Sequence, residues 1–364
     1  MNPVSRPSAF RRLAGILFLM TLASSSAQPA TGWHSLSSLP DPIGYGGMMA
    51  GVINGQLVAA GGSQWDKPVW AKGTRLLSDR IFVLAAPEGK WREHASKLPV
   101  KAGHFASAAA PDAIYYAGGL GPDGPLRQAF KLQARGADLV ATPLPDLPEA
   151  IVYGTAAIFH GRFFVIGGVA DPAAKPARRS VWSLGIAGAE SAWRREADLP
   201  GEGLFVATAS ATADALYVFG GMSYDAAGKP QPSRAAWRLK AGQWERLADM
   251  PAARVGANGP SPAFDDRILV IGGYAEIFGG AQRDHPGFPA ETLVYNTTTN
   301  SWGTGPLLPS APVGDRDASG DPGPLPMIGA PVAVWGDLAV VISGEVRIAT
   351  RSPAVVALRL PLSR

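Results

Sequence analysis

Cysteine is absent from this chain of 364 residues, which rules out a disulfide framework, a thiolate nucleophile and a thiolate metal site. Histidine is scarce, with five residues in no zinc-type spacing, and only 17% of the chain is charged. Long apolar runs are missing too, except for LAGILFLMTLA from Leu13. That run follows Arg6, Arg11 and Arg12, is too short for a spanning helix, and ends in small residues around Ser25 and Ala27. It reads as a secretory signal peptide over residues 1–27, with an uncleaved anchor as the alternative. Removing it strips three Arg and no acid, so the formal charge falls from +4 to +1. The basic balance therefore belongs to the leader and makes no case for nucleic-acid binding. The expected mature protein, residues 28–364, is periplasmic or secreted and has no stable membrane insertion.

What the chain does have is glycine and proline, 44 and 33 residues, among 46% hydrophobic residues. This balance suits many short strands joined by tight turns. The glycines are ordered. Pairs close short apolar runs at Gly61-Gly62, Gly118-Gly119, Gly167-Gly168, Gly220-Gly221 and Gly272-Gly273, and a sixth copy reads Ser343-Gly344. A repeat of roughly fifty residues with an apolar strand, a glycine pair and a downstream Trp marks a kelch-type propeller blade. The sequence thus predicts an all-β fold, a six-bladed kelch-type β-propeller in one domain.

The register is supported elsewhere in each repeat. Turn-forming pairs precede the glycine-pair strand, as in Asn54-Gly55, Asp112-Ala113, His160-Gly161, Asp214-Ala215, Asp265-Asp266 and Gly336-Asp337. Third strands follow at Ile81, Ala129, Val181, Ala236, Thr292 and Val355, and fourth strands carry Trp91, Trp193, Trp244 and Trp302. Blade two lacks that Trp, so its outer strand is the weakest. Blade six runs out of chain after its third strand, whereas the segment from Trp33 to Leu39-Pro40 is an orphan outer-strand pattern. An N-terminal strand completing the last blade would leave no open edge. The Trp and Gly residues are expected to be structural, with each Trp packed between blades.

Strand order puts the loop after each glycine pair on the same face as the start of each innermost strand. From those strand starts come Tyr45, His104, Tyr153, Phe205, Arg254 and Asn258. A long insertion in blade one adds Trp65, Asp66, Trp70, Lys72 and Arg75, and one in blade five adds Glu276, Arg283, Asp284 and His285 from nearly the opposite side. Aromatic, basic and amide groups around one pocket suit a polar, especially an anionic, sugar. Blade six continues from its altered pair as SGEVRIATR, with Glu345 at the pocket mouth and Arg351 six residues along the same loop. A carboxylate can shuttle protons and a guanidinium can grip a carboxylate, though an ion pair that merely holds the loop accounts for the same two residues.

The segment SGEVRIATR, blade one's NGQLVAAGG with its following loop, and six kelch repeats closed by an N-terminal strand together resemble the bacterial cyclically permuted mutarotases related to N-acetylneuraminate epimerase. That family's motif is approximately Gly-Glu-x-x-Pro-Gly-x-Arg. The resemblance implies a mutarotase that interconverts the α and β anomers of N-acetylneuraminic acid or a related sugar without a cofactor. It places the proton-transferring acid at Glu345 and the carboxylate-binding Arg at Arg351. Tyr45, His104, Tyr153, Arg254, Asn258 and Arg75 are weaker candidates for substrate contacts, with Tyr45, His104 or Arg254 as a second proton donor. The chain departs from the motif at Ile348-Ala349, and it has Lys101-Ala102-Gly103-His104 where the family often has Arg-Ala-Tyr-Gly. A copper-radical sugar oxidase is excluded, because its Tyr-Cys crosslink has no Cys here. The alternative from another class is a non-catalytic secreted propeller that binds a glycan or protein.

Overall fold

A computed structural model of the chain describes Met1 and residues 32–361, apart from 174, 187–191 and 315–322. The leader expected over residues 1–27 lies outside the described residues, except for Met1. The chain divides into two compact units, Met1–Ala30 and Thr31–Arg364, and the described strands all belong to the second.

Six four-stranded antiparallel sheets form the blades. Their innermost strands are Met49–Ile53, Ala106–Ala110, Thr155–Phe159, Thr208–Ala211, Ala263–Phe264 and Val332–Trp335. In blades one to five the strands follow in chain order from the axis outward. Blade six takes its outer strand, Trp33–Leu36, from the other end of the chain, with Trp33 opposite Leu358 and Leu36 opposite Val355. Blade two forms its outer strand, Asp138–Leu144, without a Trp.

Apolar residues gather at the seams between blades. Leu57, Ala59 and Phe82 of blade one pack against Val340, Ile342 and Val355 of blade six, and comparable buried clusters lie at each of the other seams. Each buried Leu, Ile, Val or Phe contributes about 1.5–3 kcal/mol, so cohesion is spread around the ring. The outer-strand indoles lock the seams. Trp193, Trp244 and Trp302 donate to the carbonyls of Pro145, Ala197 and Ala248 in the preceding blade, at 2.8, 2.9 and 2.8 Å. Trp33 donates to Pro306 of blade five at 3.3 Å, the same contact made from the opposite end of the chain.

The glycine pairs exist because neighbouring backbone comes too close for a side chain. A Cβ at Gly118 or Gly167 would fall 2.3 Å from the carbonyl oxygen of Ile151 or Leu204 in the next blade. Ser343 keeps the positive φ of this position, at 55°, and uses its hydroxyl instead. Its Oγ accepts the Tyr45 N–H at 2.7 Å and reaches Ser352 O at 2.6 Å.

At the glycine-pair mouth, one residue per blade forms a closed annulus of backbone hydrogen bonds. The N–H groups of His104, Tyr153, Val206, Gly256, Gly329 and Gly47 bond to the carbonyls of Gly47, His104, Tyr153, Val206, Gly256 and Gly329 respectively, at 2.8–3.4 Å. All six have φ between 47° and 66°. They line an axial cavity of about 120 Å³.

Candidate functional site

One place before each annulus residue, the chain bridges to the residue that follows a glycine pair. The bridges join Gly46 to Ser63, Gly103 to Leu120, Val152 to Val169, Phe205 to Met222, Val255 to Tyr274 and Ile328 to Glu345. Five blades therefore place a hydroxyl, an aliphatic group, a thioether or a phenol at this position, and blade six alone places a carboxylate. Glu345 N donates to Ile328 O at 2.9 Å and Ile328 N to Glu345 O at 2.8 Å, which fixes the acid beside annulus residue Gly329.

The segment expected to be a loop is a continuation of the blade-six hairpin. Strands Leu338–Arg347 and Thr350–Arg359 run on past the altered glycine pair, and Glu345 stands directly across from Arg351. Ile348 and Ala349 form the two-residue turn, with Ala349 at φ 62°. The Ile-Ala departure thus keeps a tight turn, with an alanine in a left-handed conformation that glycine adopts freely. Arg351 Nη1 lies 2.8 Å from Glu345 Oε1, while its Nε donates to Ser63 O at 3.1 Å. The guanidinium lies over Gly46, where a Cβ would fall 2.7 Å from Nε. Glu345 Oε2 also accepts the Ala349 N–H at 3.3 Å.

The two side chains differ in access. Glu345 is 24% exposed and Arg351 only 2%. Arg351, expected to grip a sugar carboxylate, is buried against Glu345, Ser63 and Gly46. Burial chiefly lowers its proton affinity, and the opposing charge of Glu345 raises it. Neither residue is in the cavity wall; they stand at its rim, next to Gly46-Gly47 and Ile328-Gly329.

Of the weaker candidates, His104 and Tyr153 line the cavity, with ring centroids 4.9 Å apart, edge to face. His104 Nε2 lies 3.2 Å from Ser63 Oγ. Its residue keeps a partly exposed face toward the cavity, but the imidazole sits deep. Burial first, then the charges of Arg351 and Arg75, hold its pKa down at about 3. Lowered in this way, the imidazole is neutral at pH 7 and carries one N–H donor. Arg75 faces the same region, with its guanidinium 5.2 Å from the Trp65 ring centroid and its Nε buried with no hydrogen-bond partner.

Tyr45, Arg254 and Asn258 are not in the cavity wall. Tyr45 is fully buried in the seam between blades six and one, where its hydroxyl donates to Asp41 Oδ2 at 2.9 Å and accepts from Arg80 Nη1 at 2.7 Å. Burial and Asp41 raise its pKa far above the usual tyrosine range. Arg254 is 4% exposed and donates to Ala253 O at 3.2 Å. Asn258 ties blade five to blade six, donating to Met327 O at 2.9 Å and accepting from Ala330 N at 3.0 Å. The left-handed residue in each annulus position breaks the two-residue alternation of the strand, so neighbours counted as axis-facing turn into the seams.

The two long insertions meet each other instead of facing across the pocket. Blades one and five flank blade six, and the 3-10 turns Val69–Ala71 and Gln282–Asp284 touch over it. The blade-five insertion brings two groups that the sequence reading missed or left unpaired with Glu345, Tyr274 and His285, and it packs against a third, Arg347 of blade six. Tyr274 has its pKa pushed up to about 12, by burial and then by Glu345. His285 is held neutral more strongly than usual by burial and the Arg347 charge. Arg347 is 8% exposed and donates to Arg283 O at 3.1 Å. Aligning the repeats on the residue after each glycine pair would have drawn attention to Tyr274 and Ser63 alongside Glu345. Among the described residues, no group of three metal-ligating side chains converges.

No protein-family model matches the chain. It is 28% identical over 229 residues to the N-acetylneuraminate epimerase of Yersinia enterocolitica, an alignment that covers 58% of this chain and 56% of that protein. It is 25% identical over 236 residues to the N-acetylneuraminate epimerases of Haemophilus influenzae strains PittEE and 86-028NP, covering 57% of this chain and 56% of each. The chain thus spans little more than half the length of the curated relatives it matches. Over that span, this six-bladed propeller is similar to bacterial N-acetylneuraminate epimerases.

Proposed function

We propose that the chain is a sugar mutarotase that interconverts the anomers of N-acetylneuraminate or a related sugar acid at the axial mouth. The observation that carries this is the single carboxylate, Glu345, among the six post-glycine positions, held beside the cavity and backed by Arg351. In the forward step Glu345 takes the proton of the anomeric hydroxyl as the C–O bond to the ring oxygen breaks and a carbonyl forms. The ring oxygen receives a proton from water or from the Tyr274 hydroxyl. Rotation about the C2–C3 bond of the open chain turns the other face of the carbonyl toward the C6 hydroxyl, and reclosure with the roles reversed gives the other anomer. No electrons are gained or lost, and a general acid/base contribution of about a hundred- to ten-thousandfold suffices for a reaction that is already slow in water.

An anionic substrate fits the charge balance. Arg75, Arg347 and Arg351 surround one carboxylate, and His104 adds no charge at neutral pH. Arg75 is the group we assign to the sugar carboxylate, because it is half-buried while Arg347 and Arg351 are buried, Arg351 against Glu345. Stacked on Trp65, it offers a fixed fork to a planar anion.

NMR exchange between the anomers of N-acetylneuraminate tests the reaction. The wild-type protein should accelerate exchange above the buffer rate, and Glu345→Gln should return it to that rate while the protein stays folded, at a lower melting temperature because buried Arg351 loses its counter-charge. A wild-type protein that leaves exchange at the buffer rate, with this sugar and with common neutral sugars, would leave a non-catalytic binding propeller.

A further inference from the structure

The annulus around the axis is chemically lopsided. Blades two, three and four place His104, Tyr153 and Val206 in it, whereas blades five, six and one place Gly256, Gly329 and Gly47. Every one of these positions demands a left-handed backbone, which costs an L-residue about 1–2 kcal/mol and suits a β-branched residue such as Val206 least. Glycine would serve the hydrogen-bonded ring at all six places without strain. Side chains are therefore maintained on one half against a local cost, while the other half is bare.

The bare half lies under the acid. Gly329 follows Ile328, which is bonded at both N and O to Glu345, and Gly47 follows Gly46, on which the Arg351 guanidinium rests. A Cβ built at Gly329 meets nothing within 4 Å, and one at Gly256 meets only Ile328 Cδ1 at 3.5 Å. Glycine at these two positions is thus not required by neighbouring protein atoms. Gly47 differs, because a Cβ there would fall 2.4 Å from His104 Nδ1.

We propose that the arc Gly256–Gly329–Gly47 is the floor of the substrate site, left bare so that one face of a pyranose ring can lie on backbone within reach of Glu345. His104 and Tyr153 form the facing wall, where neutral imidazole and phenol meet the sugar's hydroxyl or acylamino groups. This assignment rests on the sugar-acid reading above. It adds the residues that decide which ring fits.

The test reads binding apart from chemistry. N-acetylneuraminate is titrated calorimetrically into Glu345→Gln protein, with and without Gly329→Ala, Gly329→Leu or Gly256→Ala, and folding is checked by thermal melts. The added groups enter open space at a φ that His104 and Tyr153 already tolerate, so the variants should fold. Affinity should fall about tenfold for Gly329→Ala and further for Gly329→Leu, as expected for overpacking against a ligand. In the Glu345 background the same variants should raise KM far more than they lower kcat. Unchanged affinity in folded Gly329→Leu and Gly256→Ala proteins overturns the floor. Binding that the glycine variants weaken, without anomer exchange in the wild type, sinks the proposed reaction but sustains the floor; no binding to the Glu345→Gln protein overturns both.

Discussion

His104 shows how one residue's surroundings set its chemistry. Its folded pKa of about 3 lies below the ordinary histidine value of 6.5, so between those pH values the unfolded chain binds a proton that the folded protein refuses. Stability should be flat above pH 6.5 and should fall as pH drops toward 3, by at most about 1.4 kcal/mol per pH unit from this group. Thermal melts across that range should show a shallower decline for His104→Asn than for the wild type. Parallel slopes would mean that the imidazole is not kept neutral by the fold. Tyr274 sits at the opposite extreme: with its pKa pushed up to about 12, it keeps its proton throughout the neutral range.

The hairpin that carries Glu345 and Arg351 is the element on which the site depends, and its turn is strained at Ala349. Replacing a left-handed alanine by glycine relieves a conformation that L-residues resist, so Ala349→Gly should stabilise the protein by about 1 kcal/mol. A lower melting temperature for this variant would show that the turn is not held as described. The same hairpin marks how far the sequence could be read. The glycine pairs, turn residues and Trp positions repeat, so the blades and Glu345 were visible as a pattern and as a break in that pattern. The fate of Tyr45, Arg254 and Asn258 was not, because one left-handed residue per blade reverses which neighbours face the axis, and no composition rule marks that residue when it is His, Tyr or Val. The approach of Tyr274 and His285 to Glu345 was hidden as well, since it depends on an insertion from one blade folding over the next.

For the whole molecule, closure rests on four residue pairs between Trp33–Leu36 and the segment from Val355 to Leu358. Removing the chain through Leu36 would uncover an apolar edge and forfeit the Trp33 contact to blade five. The truncated protein should melt at a lower temperature and elute as larger species in size-exclusion chromatography; an unchanged monomer with an unchanged melt would mean that blade six stands without its borrowed strand. That strand also imposes an order in time. The first strand of the ring to leave the ribosome has as its partner the last one made, so the wheel stays open until Leu358 has been synthesised, and the two ends that meet most intimately in space are those that wait longest for each other.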